Sequence, residues 1–228
     1  MIHKFDNIII IGTSHIAKES VKTVKKTIED ESPDIVAVEL DYGRLSSLKS
    51  NQKRPGNITL LKNLGLSGYL FYLFGSYVQK SLGKVVKINP GEDMLTAVNV
   101  AEKNKINVLL IDRDIQITLR RFSKYFRKRE LFSVIGDIVK GFFKKGELVK
   151  IDFSKVPEDK FIEMILEQAK DKYPSLYKIL IDERDLYMAK NLFHIKRLNP
   201  DKKIVAVVGA GHIKGMLHYL NLMDKKID

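Results

Sequence analysis

Two short copies of one pattern, near opposite ends of the chain, constrain its fold more than any other feature. The first reads Ile8-Ile9-Ile10-Ile11-Gly12-Thr13-Ser14-His15, the second Val205-Ala206-Val207-Val208-Gly209-Ala210-Gly211-His212. Each is an aliphatic, largely β-branched run too short for a helix, then Gly-x-x-His, then a helical pattern. That order reads as a buried strand feeding a turn and a helix. Gly-x-x-His alone arises often by chance; its weight here comes from the matched setting of the two copies. In a parallel sheet such turns open at the carboxyl ends of the strands, where open α/β sheets bind ligands. Two of the five histidines are thereby aimed at one edge. A glycine in each turn permits close backbone approach. The positive end of each following helix disfavours imidazolium, and neutral imidazole is the form that binds metal.

Between the copies, two more strands are expected. Ile35 to Leu40 follows a helix marked by Ala17, Val21, Val24 and Ile28, and it delivers Glu39 and Asp41 to the same edge, with Arg44 one helical turn on. Asn107 to Ile111 ends in Asp112-Arg113-Asp114. Pro90-Gly91-Glu92 opens a helix and puts Glu92 in its first turn, where a carboxylate is favoured. Further amphipathic helices read as Ile115 to Phe126, Leu131 to Phe143 and Phe161 to Ala169. A last one begins near Asp182-Glu183-Arg184-Asp185 with Asp182 as its N-cap. Strands alternating with helices predict an α/β fold with a mostly parallel central sheet and a helical insertion, about 115–200, before the last strand. At 228 residues the chain is expected to be a single domain, 1–228.

The absence of cysteine removes disulfides, thiolate metal sites and a cysteine nucleophile, so any metal is held by nitrogen and oxygen. The amino terminus lacks the charged, apolar and small-residue series of a signal peptide, so a cytoplasmic location is expected. The net charge is +12, and residues 116–150 carry ten Lys/Arg against three acids. Ile115, Leu119, Phe122 and Phe126 fall at helical spacing there, so the aromatics read as core and the charges as a solvated face, not as a nucleic-acid surface. The abundance of Lys and Glu is also common in heat-adapted proteins. The uncharged apolar segment 66–78 is too broken for a comfortable membrane span; it reads as a buried helix, or as a patch for homo-oligomer or membrane contact.

Polar groups gathered at one edge from distant positions are the first sign of a site. Two histidines with one or two carboxylates form an N/O ligand set for Zn²⁺, Mn²⁺ or Fe²⁺. Such an ion lowers the pKa of a bound water to about 7 and polarises a carbonyl. A further carboxylate would act as base, and Arg113 or Arg184 would stabilise developing negative charge. The implied reaction class is metal-assisted hydrolysis. Against this stands a structural reading, in which Asp112 and Asp114 pair with Arg113, Arg120 or Arg184, and Glu92 and Glu183 only favour helix starts. No His-Glu-x-x-His, Walker loop or Gly-x-Ser-x-Gly is present.

With these residues assembled, the chain resembles the TraB/PrgY pheromone-shutdown family, related to the GumN and Tiki proteins. The likeness spans nearly the whole chain. It rests on Gly12-Thr13-Ser14-His15, Val38-Glu39-Leu40-Asp41 with Arg44, Pro90-Gly91-Glu92, and Ile111-Asp112-Arg113-Asp114 with Thr118 and Arg121. Glu183-Arg184-Asp185 with Met188 and Ala189, and Val208-Gly209-Ala210-Gly211-His212, complete it. The resemblance implies an erythromycin-esterase or ChaN-like fold. It implies a divalent-metal peptidase or hydrolase acting on a peptide, since Tiki relatives are described as metal proteases and pheromone-shutdown members lower a peptide signal. By that likeness His15, Glu39 and His212 match the metal positions, with Glu92 and Arg184 next in rank. Many members continue into apolar membrane segments after the second motif, whereas this chain stops at Asp228. The expectation is therefore either a soluble member or a domain whose membrane association lies in segments outside it. The competing reading is a non-catalytic module that binds a peptide or membrane partner.

Overall fold

The computed structural model describes residues 1–13, 18–50, 91–126, 129–130, 133, 136 and 158–225. The expected helix from Leu131 to Phe143 falls largely outside them, and the apolar segment 66–78 entirely outside. Among the described residues, five strands form one sheet: β1 (Ile2–Phe5), β2 (Ile8–Thr13), β3 (Ile35–Val38), β4 (Asn107–Leu110) and β5 (Ile204–Gly209). Their spatial order is β1-β2-β5-β3-β4. All neighbours are parallel except β1 and β2, which form an antiparallel hairpin. The sequence reading assigns no strand before Ile8, so this hairpin is an addition to it. It turns at Asp6, whose φ of 48° is the left-handed conformation that a short aspartate tolerates.

The continuous aliphatic runs of β2 and β5 follow from burial on both faces, which removes the polar alternation of a one-sided sheet. On one face Ile9, Ile11, Val36, Val38, Val205 and Val207 pack against Val24 and Ile28 of α1 (Lys18–Glu31) and Met94, Ala97, Val98 and Ala101 of α3 (Glu92–Lys103). On the other, Ile8, Ile10, Ala37, Ala206 and Val208 meet Met188, Ala189 and Leu192 of α7 (Glu183–Leu198) and Ile213, Met216 and Leu220 of α8 (Ala210–Asp224). A short α2 (Tyr42–Ser50) follows β3. Asp41 starts it, accepting from the Arg44 amide at 2.9 Å in the manner of an N-cap.

Between β4 and β5 lie α4 (Ile115–Tyr125), α5 (Glu158–Lys172), α6 (Pro174–Tyr177), a π-helical turn (Lys178–Asp182) and α7. Leu119 and Phe122 are buried on α4, as their spacing indicated. Asp182 is not an N-cap. Its backbone is helical, because the π turn runs without a break into α7, and its side chain accepts instead from the Tyr219 hydroxyl at 2.7 Å. The last strand in sequence lies at the centre of the sheet. This insertion sets the turn after β5 between those after β2 and β3, and it is the feature that assembles the site.

Candidate functional site

The register aligns the strand exits. Thr13 pairs with Gly209, and Val38 with Val207. Thr13 precedes His15 by two residues and Gly209 precedes His212 by three, so both histidine motifs leave adjacent strands at one level. His15 itself lies outside the described residues. Glu39 continues β3 by one backbone bond, its amide donating to the Val207 carbonyl at 3.0 Å. Its Oε2 accepts from the Gly209 amide at 2.6 Å, tying the exit of β3 to the turn that carries His212.

Around these turns is a buried ion-pair network centred on Arg184. Its Nη2 donates to Glu39 Oε1 and, at 2.5 Å, to Asp112 Oδ2. Its Nε lies 3.1 Å from Asp112 Oδ2, its Nη1 donates to the Leu180 carbonyl at 3.2 Å, and the same Nη1 is 3.0 Å from His212 Nε2. Arg44 joins from α2, donating from Nε to Asp41 at 2.6 Å and from Nη2 to Asp112. His212 Nε2 is 3.3 Å from Glu39 Oε1, and His212 Nδ1 is 2.5 Å from Asp185 Oδ1. Because Asp185 can only accept when ionised, Nδ1 carries the hydrogen. Nε2 then accepts from Arg184 when the ring is neutral, or donates to Glu39 when it is charged.

Among the described residues, four carboxylates (Glu39, Asp41, Asp112, Asp185) face two guanidiniums here, so the electrostatics favour a proton on the imidazole. Burial opposes that charge and so does Arg184, but Glu39 and the hydrogen bond to Asp185 outweigh them and raise His212 to about 9. The sequence expectation of a neutral ring is corrected on this point. His212 does sit in the first turn of α8, but full charges at hydrogen-bond distance exceed a helix-terminal partial charge. Burial raises Asp185 to about 6, against the pull of His212. Asp112 moves the other way; burial raises it, yet Arg184 and Arg44 hold it below the usual carboxylate range.

Arg113 is brought near but engaged elsewhere. It is 5% exposed, and its guanidinium donates to Thr118 Oγ1 at 2.9 Å, Glu183 Oε2 at 3.1 Å and the Ile179 carbonyl of the π turn at 2.5 Å. Glu183 also accepts two bonds from Arg121, both at 2.5 Å. Thus Glu183 and Arg113 fasten the turn from which Arg184 and Asp185 project. Glu92 is exposed in the first turn of α3, after Gly91 at φ 88°, and takes no part in this network among the described residues. His3, His194 and His218 are exposed.

Two elements were not assigned from sequence. Asp185 stood in a charge run and in the motif Glu183-Arg184-Asp185 but was given no role, and its partnership with His212 comes from the packing of α7 on α8. Gly215 allows that partnership, since a Cβ there would lie 2.0 Å from Asp185 Oδ2. The Gly-x-x-x-Gly spacing from Gly211 to Gly215 on α8 was the available sign of a close helix contact.

As metal ligands, Glu39 Oε1 and His212 Nε2 have a suitable separation, because two donors about 2.1 Å from a tetrahedral ion are about 3.4 Å apart. The guanidinium of Arg184 engages both of them, so it competes with an ion for the same donors. Among the described residues no cluster of three or more His, Asp or Glu side chains is arranged to hold a metal.

The TraB/PrgY/gumN family model matches residues 1–226. An uncharacterized protein of Methanocaldococcus jannaschii is 35% identical over 226 residues, covering 97% of this chain and 55% of its own length. TraB domain-containing proteins of mouse and human are each 25% identical, covering 91% of this chain and 61% of theirs. The chain therefore spans a little over half the length of these relatives. Among the described residues, no helix is long and apolar enough to cross a membrane.

Proposed function

The chain belongs to the TraB/PrgY/gumN family, and from that premise we propose that it is a divalent-metal-dependent hydrolase acting on a peptide amide bond. The observation that carries the reading is the pairing of Glu39 and His212, 3.3 Å apart at neighbouring strand exits, with the far nitrogen of His212 held by buried Asp185. A carboxylate behind a histidine in this way fixes the tautomer and strengthens the ligand, as is common in metal sites. His15, Glu39 and His212 would hold a Zn, Mn or Fe ion, which would supply an acidified water and a polarised carbonyl. Arg184, which contacts both donors, would stabilise the oxyanion that forms as the amide is attacked. Arg113 would act through the π turn as a positioning residue. Glu92 would be the base, since α3 begins on the same side of the sheet as α2, with Gly91 against Leu48. The erythromycin-esterase and ChaN-like kinship of the fold belongs to this proposal as well.

A second reading has its own support: Arg184 satisfies Glu39, Asp112 and His212 without an ion, as a peptide- or membrane-partner-binding module requires. Peptide digestion by protein purified without a chelating column, with and without chelator, separates the two. Turnover that chelator abolishes and His212→Ala removes supports the hydrolase. Peptide binding that persists in chelator, with no product, supports the binding module.

A further inference from the structure

A half-open cavity of about 280 Å³ lies at the start of α8, where Ala210 and Gly211 of the second histidine motif line it. Its floor is the first turn of α8, Ala210 and Gly211, and its walls are His3 of β1, Ile162 and Leu166 of α5, and Ile213 and Leu217 of α8; the ring of His212, next in sequence, turns instead toward Asp185. Met1 closes it on the side of the first motif, its carbonyl accepting from the Gly12 amide at 2.9 Å. Glu163 and Lys214, paired at 2.5 Å, stand at the rim.

We infer that this cavity is a specificity pocket for one aliphatic or aromatic side chain of a bound peptide, next to the residue whose amide lies at His212. The inference rests on the peptide reading above and adds the class of residue recognised. The volume corresponds to about nine waters at roughly 30 Å³ each, enough for a single large side chain. Water against these apolar walls lacks hydrogen-bond partners, so its displacement favours an apolar group. Gly211 keeps the floor open, and Leu166 and Ile162, 3.5 and 3.9 Å from a Cβ built there, set the width. The Glu163–Lys214 pair limits the outward extent of the pocket.

The test compares binding of N-acetyl-leucinamide and N-acetyl-glycinamide, by chemical-shift titration of the full chain, with turnover of peptides differing at one residue. The leucine probe is expected to bind at least about 10-fold more tightly, the scale of a hydrophobic pocket's discrimination. Leu166→Trp, which fills the pocket, should erase that difference, and Ile162→Ala, which widens it, should shift preference toward phenylalanine. Retained discrimination without hydrolysis of any peptide would uphold the pocket and reject the hydrolase. Hydrolysis indifferent to side chain and to both variants would reject the pocket and leave the hydrolase standing. Equal binding of the two probes also overturns the inference.

Discussion

Gly215→Ala gives a sharp test of the packing behind His212, because local and tertiary effects have opposite signs. In a helix interior, replacing glycine by alanine ordinarily stabilises by about 1 kcal/mol. At position 215, however, the added Cβ would lie 2.0 Å from Asp185 Oδ2, 2.7 Å from its Cγ and 3.0 Å from its Cβ. Asp185 is 2% exposed and cannot move into solvent without separating α7 from α8. Overpacking of this kind costs about 1–3 kcal/mol. The displaced carboxylate also leaves the Nδ1–H of His212 without its acceptor, a charge-assisted bond worth about 1.5–3 kcal/mol. After the propensity gain is subtracted, a loss of about 1.5–5 kcal/mol remains, by combination of those ranges. Urea denaturation at neutral pH measures it, with Gly211→Ala as a control in the same helix. There the nearest atom to a new Cβ is Leu166 Cδ1 at 3.5 Å, ordinary contact, and stability should change by less than about 1 kcal/mol. A Gly215→Ala protein as stable as the parent, or more so, would refute the close approach of Asp185 to α8.

Three further outcomes follow from the network. The folded-state value of His212, about 9 against an ordinary 6.5, makes its contribution fully present below pH 6.5 and lost as pH rises to about 9. Across that window stability should fall by up to ~3 kcal/mol, and His212→Gln should flatten the slope; a parent whose stability rises with pH there contradicts the assignment. Arg184→Met leaves Glu39 and Asp112 buried without their shared cation and should destabilise by about 3–5 kcal/mol, read by denaturation; a loss below about 1 kcal/mol would mean that the network is solvent-screened. Arg113→Met removes the donor to the Ile179 carbonyl and should lower both Tm and peptide turnover, whereas Arg120→Met, on the exposed side of α4, should alter neither.

Strand exits were legible in the sequence because buried parallel strands leave unbroken aliphatic runs. Glu39, Asp112 and the two Gly-x-x-His motifs stand at the ends of such runs. The central position of β5 was not legible, since strand order is set by which helices cover which face, a long-range property that no local window carries. The hairpin strand β1 was missed because Ile2–Phe5 is exposed at the sheet edge and shows no alternation of burial. The charge run at 182–185 was visible, but its division of labour was not. After the π turn, Glu183 meets Arg113 and Arg121 while Arg184 and Asp185 face Glu39 and His212, and a rare single-turn π element is not anticipated from helical periodicity. The protonation of His212 was misjudged for a related reason, because the dipole of its own helix is local and the carboxylates that outweigh it come from β3 and α7.

The most direct test is calorimetric titration of Zn²⁺ or Mn²⁺ into chelator-treated protein, in buffers of differing ionisation enthalpy, alongside peptide digestion. One ion should bind per chain with release of protons, because His212 must give up its imidazolium hydrogen, and affinity should rise with pH toward 9. His15→Ala and His212→Ala should each abolish that binding and the accompanying hydrolysis. Binding that releases no protons, or hydrolysis that survives both substitutions, would contradict a metal centre at these strand exits.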